Sequence, residues 1–84
     1  MRVDAKRNEI EIILRGSIYD RNAVILATQA FKDICEFNFH EDFYVFVHTK
    51  IPTLKITIKP MEILKKKDLE KVGLEFYNCL LQFQ

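Results

Sequence analysis

Hydrophobic and polar positions alternate in twos over residues 8–16: Ile10, Ile12 and Leu14 fall on one side, Glu9, Glu11 and Arg15 on the other. A period of two with β-branched residues predicts a half-buried strand ending at Gly16. Ile13 interrupts the polar side, a first sign that this face is not wholly wet. From Arg21 to about Cys35 the period lengthens to that of a helix. Ala23, Val24, Ala27, Ala30, Phe31, Ile34 and Cys35 share one side, while Arg21, Asn22, Gln29, Lys32 and Asp33 take the other. Asp20 stands where an N-cap carboxylate would accept the first free backbone N–H groups, and Ile18 and Tyr19 could staple the first turn. Ile25 is the one apolar residue on the polar side.

Residues 36–42 read as a connection whose Phe37 and Phe39 cover the edge of the core. Residues 43–48 are then a strand apolar on both faces, Phe43, Val45 and Val47 against Tyr44 and Phe46, which predicts burial on both sides. Residues 49–53, with Pro52, read as the turn. Leu54, Ile56 and Ile58 alternate with Lys55, Thr57 and Lys59 to complete a β-hairpin that Pro60 stops. A second helix is predicted from Glu62 or Asp68, with Asp68 as a candidate N-cap, to between Leu81 and Phe83. Its apolar residues, among them Leu69, Val72, Leu74, Phe76, Tyr77, Cys79, Leu80, Leu81 and Phe83, sweep about 220°. A helix lying on its own core needs little more than about 100°.

These elements predict one α+β domain over residues 1–84, a two-layer βαββα sandwich with a three-stranded sheet and two helices on one face. The hairpin strands pair, and the first strand is placed beside the third rather than the second. Nothing in such a chain covers the second face of the sheet, with Ile13, Tyr44 and Phe46, or the flank of the last helix with Leu74, Tyr77, Asn78 and Leu81. Exposed apolar patches of that size mark interfaces, and a symmetric dimer is the commonest way to close one. Those seven residues are the candidate interface.

Composition sharpens this reading. With 49% hydrophobic residues and only two Gly and two Pro, the 84-residue chain is expected to fold rather than stay disordered. A chain so short buries a limited share of its surface, and association can make up the deficit. The net charge of +1 attracts neither nucleic acid nor an anionic membrane, and no apolar run is long enough to span a bilayer. The charged start, Met1 to Glu11, does not look like a signal peptide, so a cytoplasmic setting is expected, with Cys35 and Cys79 as reduced core thiols.

Candidate chemistry is sparse. Cys35, His40, Glu41, Asp42 and His48 are the densest set of metal-ligand types, but paired zinc-ligand spacing is missing, and a polar turn is the preferred account. Cys35 and His40 lack a third group to complete a nucleophilic constellation, and no phosphate-binding glycine loop occurs. No enzymatic activity and no cofactor are expected. Lys65, Lys66 and Lys67 cluster near a helix start, and Lys55 and Lys59 share a strand face with Tyr44 and Phe46 within reach. A nucleic-acid-binding surface is therefore the alternative, though the near-neutral charge disfavours it.

Two segments carry a resemblance. Ile18, Tyr19, Asp20, Arg21, Asn22, Ala23 and Val24, followed by Ala27, Ala30 and Phe31, form one; Glu75, Phe76, Tyr77, Asn78, Cys79, Leu80 and Leu81 form the other. Both resemble a family of short bacterial proteins, the D component of His-Xaa-Ser systems (HxsD), with its C-terminal Phe-x-Asn-x-x-Leu stretch. The chain lacks the Leu-Arg ending associated with that family. The resemblance implies an accessory of radical maturases that modify peptides, holding a peptide or the maturase, with Asn78 as the polar residue to test.

Overall fold

The alternation of Ile10, Ile12 and Leu14 forms strand β2 (Glu9–Arg15), and that of Leu54, Ile56 and Ile58 forms the inner half of β4 (Thr49–Pro60). The two strands pair antiparallel with Ile10 opposite Ile58, Ile12 opposite Ile56 and Leu14 opposite Leu54. All six side chains are buried, so this ladder is the floor of the core. The computed structural model describes residues 1–16 and 20–83. The expected staple by Ile18 and Tyr19 lies outside the described residues.

The sheet has four strands rather than the expected three, in the order β1-β2-β4-β3. The addition is β1 (Arg2–Asp4), which pairs antiparallel with β2 through a turn in which Asn8 adopts a left-handed φ of 56°. Three residues are too few for periodicity to reveal a strand. The expected neighbour of the first predicted strand is found, since β2 lies beside β4.

Helix α1 runs Arg21–Phe31 and is capped as expected: the Asp20 carboxylate accepts from the Asn22 and Ala23 N–H groups at 3.0 and 3.3 Å. It stops four residues short of Cys35, which instead opens β3 (Cys35–Phe46). Ala23, Val24 and Ala27 are buried, but Ala30 and Ile34, expected inside, are exposed. Helix α2 spans Lys66–Gln82 with Lys65 at the N-cap, so Asp68 sits in the first turn and is not the cap. Leu69, Gly73, Phe76 and Leu80 form its buried stripe. A Cβ on Gly73 would stand 3.0 Å from Ile10 Cγ2 and meet Met1 Sδ, so glycine lets the helix axis settle onto β2. Both helices lie on one face of the sheet, joined by an edge contact between Phe31 and Phe76 (5.6 Å) and a tilted contact between Phe76 and Phe37 (5.3 Å).

The β3–β4 hairpin departs most from expectation. Residues 36–42 are not a connection but part of one twelve-residue strand, and the turn is Val47-His48 rather than residues 49–53. Both turn residues have positive φ, 50° and 64°, the signature of a two-residue type I′ turn. A twelve-residue strand is about 40 Å long, and the chain measures 42 × 26 × 17 Å. The hairpin therefore runs the full length of the molecule and its distal third projects beyond the helices. Residues 43–48, expected to be buried on both faces, are exposed throughout.

Asn8 secures the opposite end. Its Nδ2 donates to the Pro60 and Glu62 carbonyls (3.2 and 2.9 Å), and its Oδ1 accepts from the Leu64 N–H (2.9 Å). This buried side chain fastens the β1–β2 turn to the segment that leads into α2.

Candidate interaction surface

Among the described residues, apolar side chains remain uncovered on the hairpin, beside α1 and on α2, and the pleat of the hairpin explains where those of β3 lie. Phe37, Phe39, Glu41, Phe43 and Val45 project on the helix side of β3. Asn38, His40, Asp42, Tyr44 and Phe46 project on the open side. Near the body Phe37 packs on the core, whereas Phe39, stacked on it at 6.3 Å, is already half-exposed. Past the helices both faces meet solvent: Val45 is 62%, Phe46 64% and Val47 74% exposed. Cations lie over two of the rings, with Lys50 Nζ 4.7 Å from the Phe43 centroid and Arg15 Cζ 5.7 Å from that of Tyr44.

Between α1 and β3 runs an apolar groove of about 370 Å³ lined by Val24, Ile25, Thr28, Phe39 and Leu54, with Arg21 and Glu41 at its rim. Arg21 and Glu41 are joined by a 2.9 Å ion pair. Ile25 is thus more than a stray apolar residue on a wet face. It forms one wall of this groove.

The free edge of β3 adjoins the groove. In a two-residue hairpin the flanking pair, Phe46 and Thr49, exchanges both ladder hydrogen bonds, and every second pair does so after it. Residues 36, 38, 40, 42, 44 and 46 therefore bond to β4, and Phe37, Phe39, Glu41, Phe43 and Val45 aim their N–H and C=O groups outward. Two details agree with this phase. Pro52 and Pro60 both fall opposite non-exchanging residues, Phe43 and Cys35, where β3 asks no N–H of them. The Phe43 N–H is taken by its neighbour's carboxylate, Asp42 Oδ1, at 2.8 Å rather than by the ladder.

The seven residues picked from sequence separate into two groups. Ile13, Tyr44 and Phe46 do lie together on the open sheet face, and all three are exposed. Leu74, Asn78 and Leu81 form an exposed strip on α2, in the opposite layer, and Tyr77 beside them is half-buried against the core. One flat partner cannot touch both groups. Phe43, Val45, Phe39 and Ile25, which the sequence reading assigned to the core, its edge or an isolated surface position, are the apolar surface it missed. The signal was the unbroken apolar run of residues 43–47, which fits a projecting strand as well as a buried one.

Comparison with family models, curated proteins and solved structures finds no match. The chemistry of the surface therefore has to speak for itself. Among the described residues, no three His, Cys, Asp or Glu side chains come together as a metal-holding group. Cys35 is buried at the base of β3, and burial pushes its thiol pKa up from the ordinary 9.0, which opposes formation of a reactive thiolate. His40 lies on the open face, opposite Lys55 of β4. Of the basic residues, Lys55 and Lys59 lie on the open face, where Glu36 stands opposite Lys59 and Glu11 is one strand over. Lys65, Lys66 and Lys67 begin α2 in the other layer, so the two groups do not form one basic stripe. No helix among the described residues is long and apolar enough to cross a membrane.

Proposed function

We propose that this protein is a non-catalytic protein-interaction module that works as a homodimer in the cytoplasm, its hairpin supplying the contact. One observation carries the reading: Phe43, Tyr44, Val45, Phe46 and Val47 extend past the helical layer and stay exposed, with only the Lys50 and Arg15 side chains of their own chain over two of the rings. Burying a large apolar side chain is worth about 1.5–3 kcal/mol. Five such residues left in water on one arm favour association strongly. The second exposed strip, Leu74, Asn78 and Leu81, stays available for another polypeptide while the hairpin is engaged. The resemblance to the D component of His-Xaa-Ser systems gives that second site an occupant in this reading: a peptide substrate or the radical maturase that modifies it, with Asn78 as its polar anchor.

Light scattering on the purified protein tests the dimer. The wild type should have the mass of two chains, the Phe43→Lys/Val45→Lys variant that of one, and the Leu74→Lys/Leu81→Lys variant should stay dimeric. A wild type that is monomeric at high concentration removes the reading.

The cation over Tyr44 favours a second reading, a single-stranded nucleic-acid surface on the open sheet face in which Tyr44 and Phe46 stack bases beside Lys55 and Lys59, the lysines of residues 65–67 lying in the other layer. Binding to a labelled oligonucleotide that weakens steeply with salt would support it, and absence of such binding would remove it.

A further inference from the structure

We infer that two copies join through the outer edges of their β3 strands, antiparallel about a two-fold axis at Glu41. This rests on the homodimer reading and deepens it by naming the surface and its register. Sheet edges that stay solitary are blunted by charged side chains, lysine above all, by proline, a bulge or a cover. Of the charges in the middle of β3, Glu41 is held by Arg21, and an axis at Glu41 sets Asp42 opposite His40 of the second copy. The other outer strand, β1, is only three residues long. β3 presents twelve residues with neither lysine nor proline, and its outward N–H and C=O groups at Phe37, Phe39, Glu41, Phe43 and Val45 are spaced to accept another strand, the Phe43 N–H exchanging the Asp42 carboxylate for the partner's carbonyl.

Side-chain complementarity selects the register. A two-fold axis through the sheet pairs residues whose numbers add to a constant, and with the axis at Glu41 that constant sets His40 opposite Asp42 twice on the open face. On the helix face Phe39 meets Phe43 and Phe37 meets Val45, each also twice. The two Glu41 carboxylates face one another at the axis, where each is held by Arg21 of its own chain. Moving the axis to any other residue from Phe39 to Phe43 sets Glu41 against a Phe or Val. An axis at Phe39 also sets Glu36 against Asp42, and one at Asp42 sets that carboxylate on itself. With the axis at Glu41, about ten backbone hydrogen bonds cross the junction, two for each exchanging pair. A standard interface contains about that number. Phe43 of the second copy then comes to rest beside Phe39 at the mouth of the α1–β3 groove, and the two four-stranded sheets become one continuous sheet.

Sedimentation equilibrium and cysteine cross-linking test this together. In an exchanging antiparallel pair the Cα atoms are about 5.5 Å apart, inside the disulfide range. The Glu41→Cys variant should therefore oxidise to a dimer linked at position 41, roughly tenfold faster than His40→Cys or Asp42→Cys. Replacing His40 by Asp gathers four carboxylates on the open face of the junction and should weaken the dimer by about tenfold, and H40D/D42K should restore it. Circular dichroism of each variant establishes that the fold is kept. A wild type that sediments as a monomer at all concentrations overturns both this assignment and the homodimer reading. A dimeric wild type in which Glu41→Cys links no faster than its neighbours, and H40D associates unchanged, overturns the edge assignment alone.

Discussion

Replacing Asn8 probes the fold where one side chain does the most. Asn8 closes three hydrogen bonds, two to carbonyls and one from the Leu64 N–H, and its backbone is left-handed at φ 56°. Each bond is worth about 1 kcal/mol net, and removing the side chain strands buried partners, so Asn8→Gly should cost about 3 kcal/mol. Asn8→Ala loses the same bonds and adds about 1 kcal/mol for a left-handed residue with a Cβ, a total near 4 kcal/mol. Because a domain of this size has about 5–10 kcal/mol in all, Asn8→Ala should bring it close to unfolding at room temperature. Urea denaturation followed by circular dichroism measures both variants, at one fixed protein concentration because association adds to apparent stability. The expected order is wild type, then Gly, then Ala. An Asn8→Ala variant within about 1 kcal/mol of wild type, or a Gly variant less stable than Ala, would refute the hydrogen-bonded and left-handed roles assigned to this residue.

Other outcomes follow from the turn and the buried thiol. Val47 and His48 are L-residues in left-handed conformations where Asn-Gly is preferred, so Val47→Asn with His48→Gly should stabilise the hairpin by about 2 kcal/mol. Slower amide exchange along residues 43–52 would register that gain, and unchanged exchange would contradict the turn geometry. Native alkylation should reach half-buried Cys79 well before buried Cys35. The thiol pKa of Cys35 is higher folded than unfolded, so its contribution to stability is full below pH 9.0 and declines as pH rises from there through the folded value. Urea midpoints of wild type and Cys35→Ala should therefore keep a fixed difference up to about pH 9 and converge above it. A difference that stays constant to pH 10 would contradict the burial argument.

The sequence made legible what repeats locally. The β2 and β4 alternation, the Asp20 cap and the two-layer α+β order are all in the structure, because each is written in the spacing of adjacent residues. What it hid depends on distance. Strand β1 is too short for a period, and Cys35 and Ile34 continue the helical pattern of α1 although the chain has already turned into β3. The hairpin turn is not legible locally, because Pro52 resembles a turn residue while Val47-His48 does not. Only the register shows that Pro52 sits where β3 needs no N–H. β2 also stops pairing at Arg15 opposite Thr53, one residue before Pro52 would have had to donate. The same ambiguity hides the surface of the hairpin tip: a strand apolar on both faces reads as doubly buried, whereas residues 43–48 lie beyond the helices and are wet on both. The exposed α2 flank, by contrast, followed directly from the width of its apolar arc.

Amide hydrogen exchange as a function of protein concentration tests most directly whether the β3 edge is where this protein meets a partner. The outward N–H groups of Phe37, Phe39, Glu41 and Val45 should exchange quickly in dilute solution and become protected together as concentration rises, while the buried ladder of β2 and β4 stays protected throughout. Rates at those four amides that do not change with concentration, or protection that rises on the 74–81 flank of α2 instead, would contradict it.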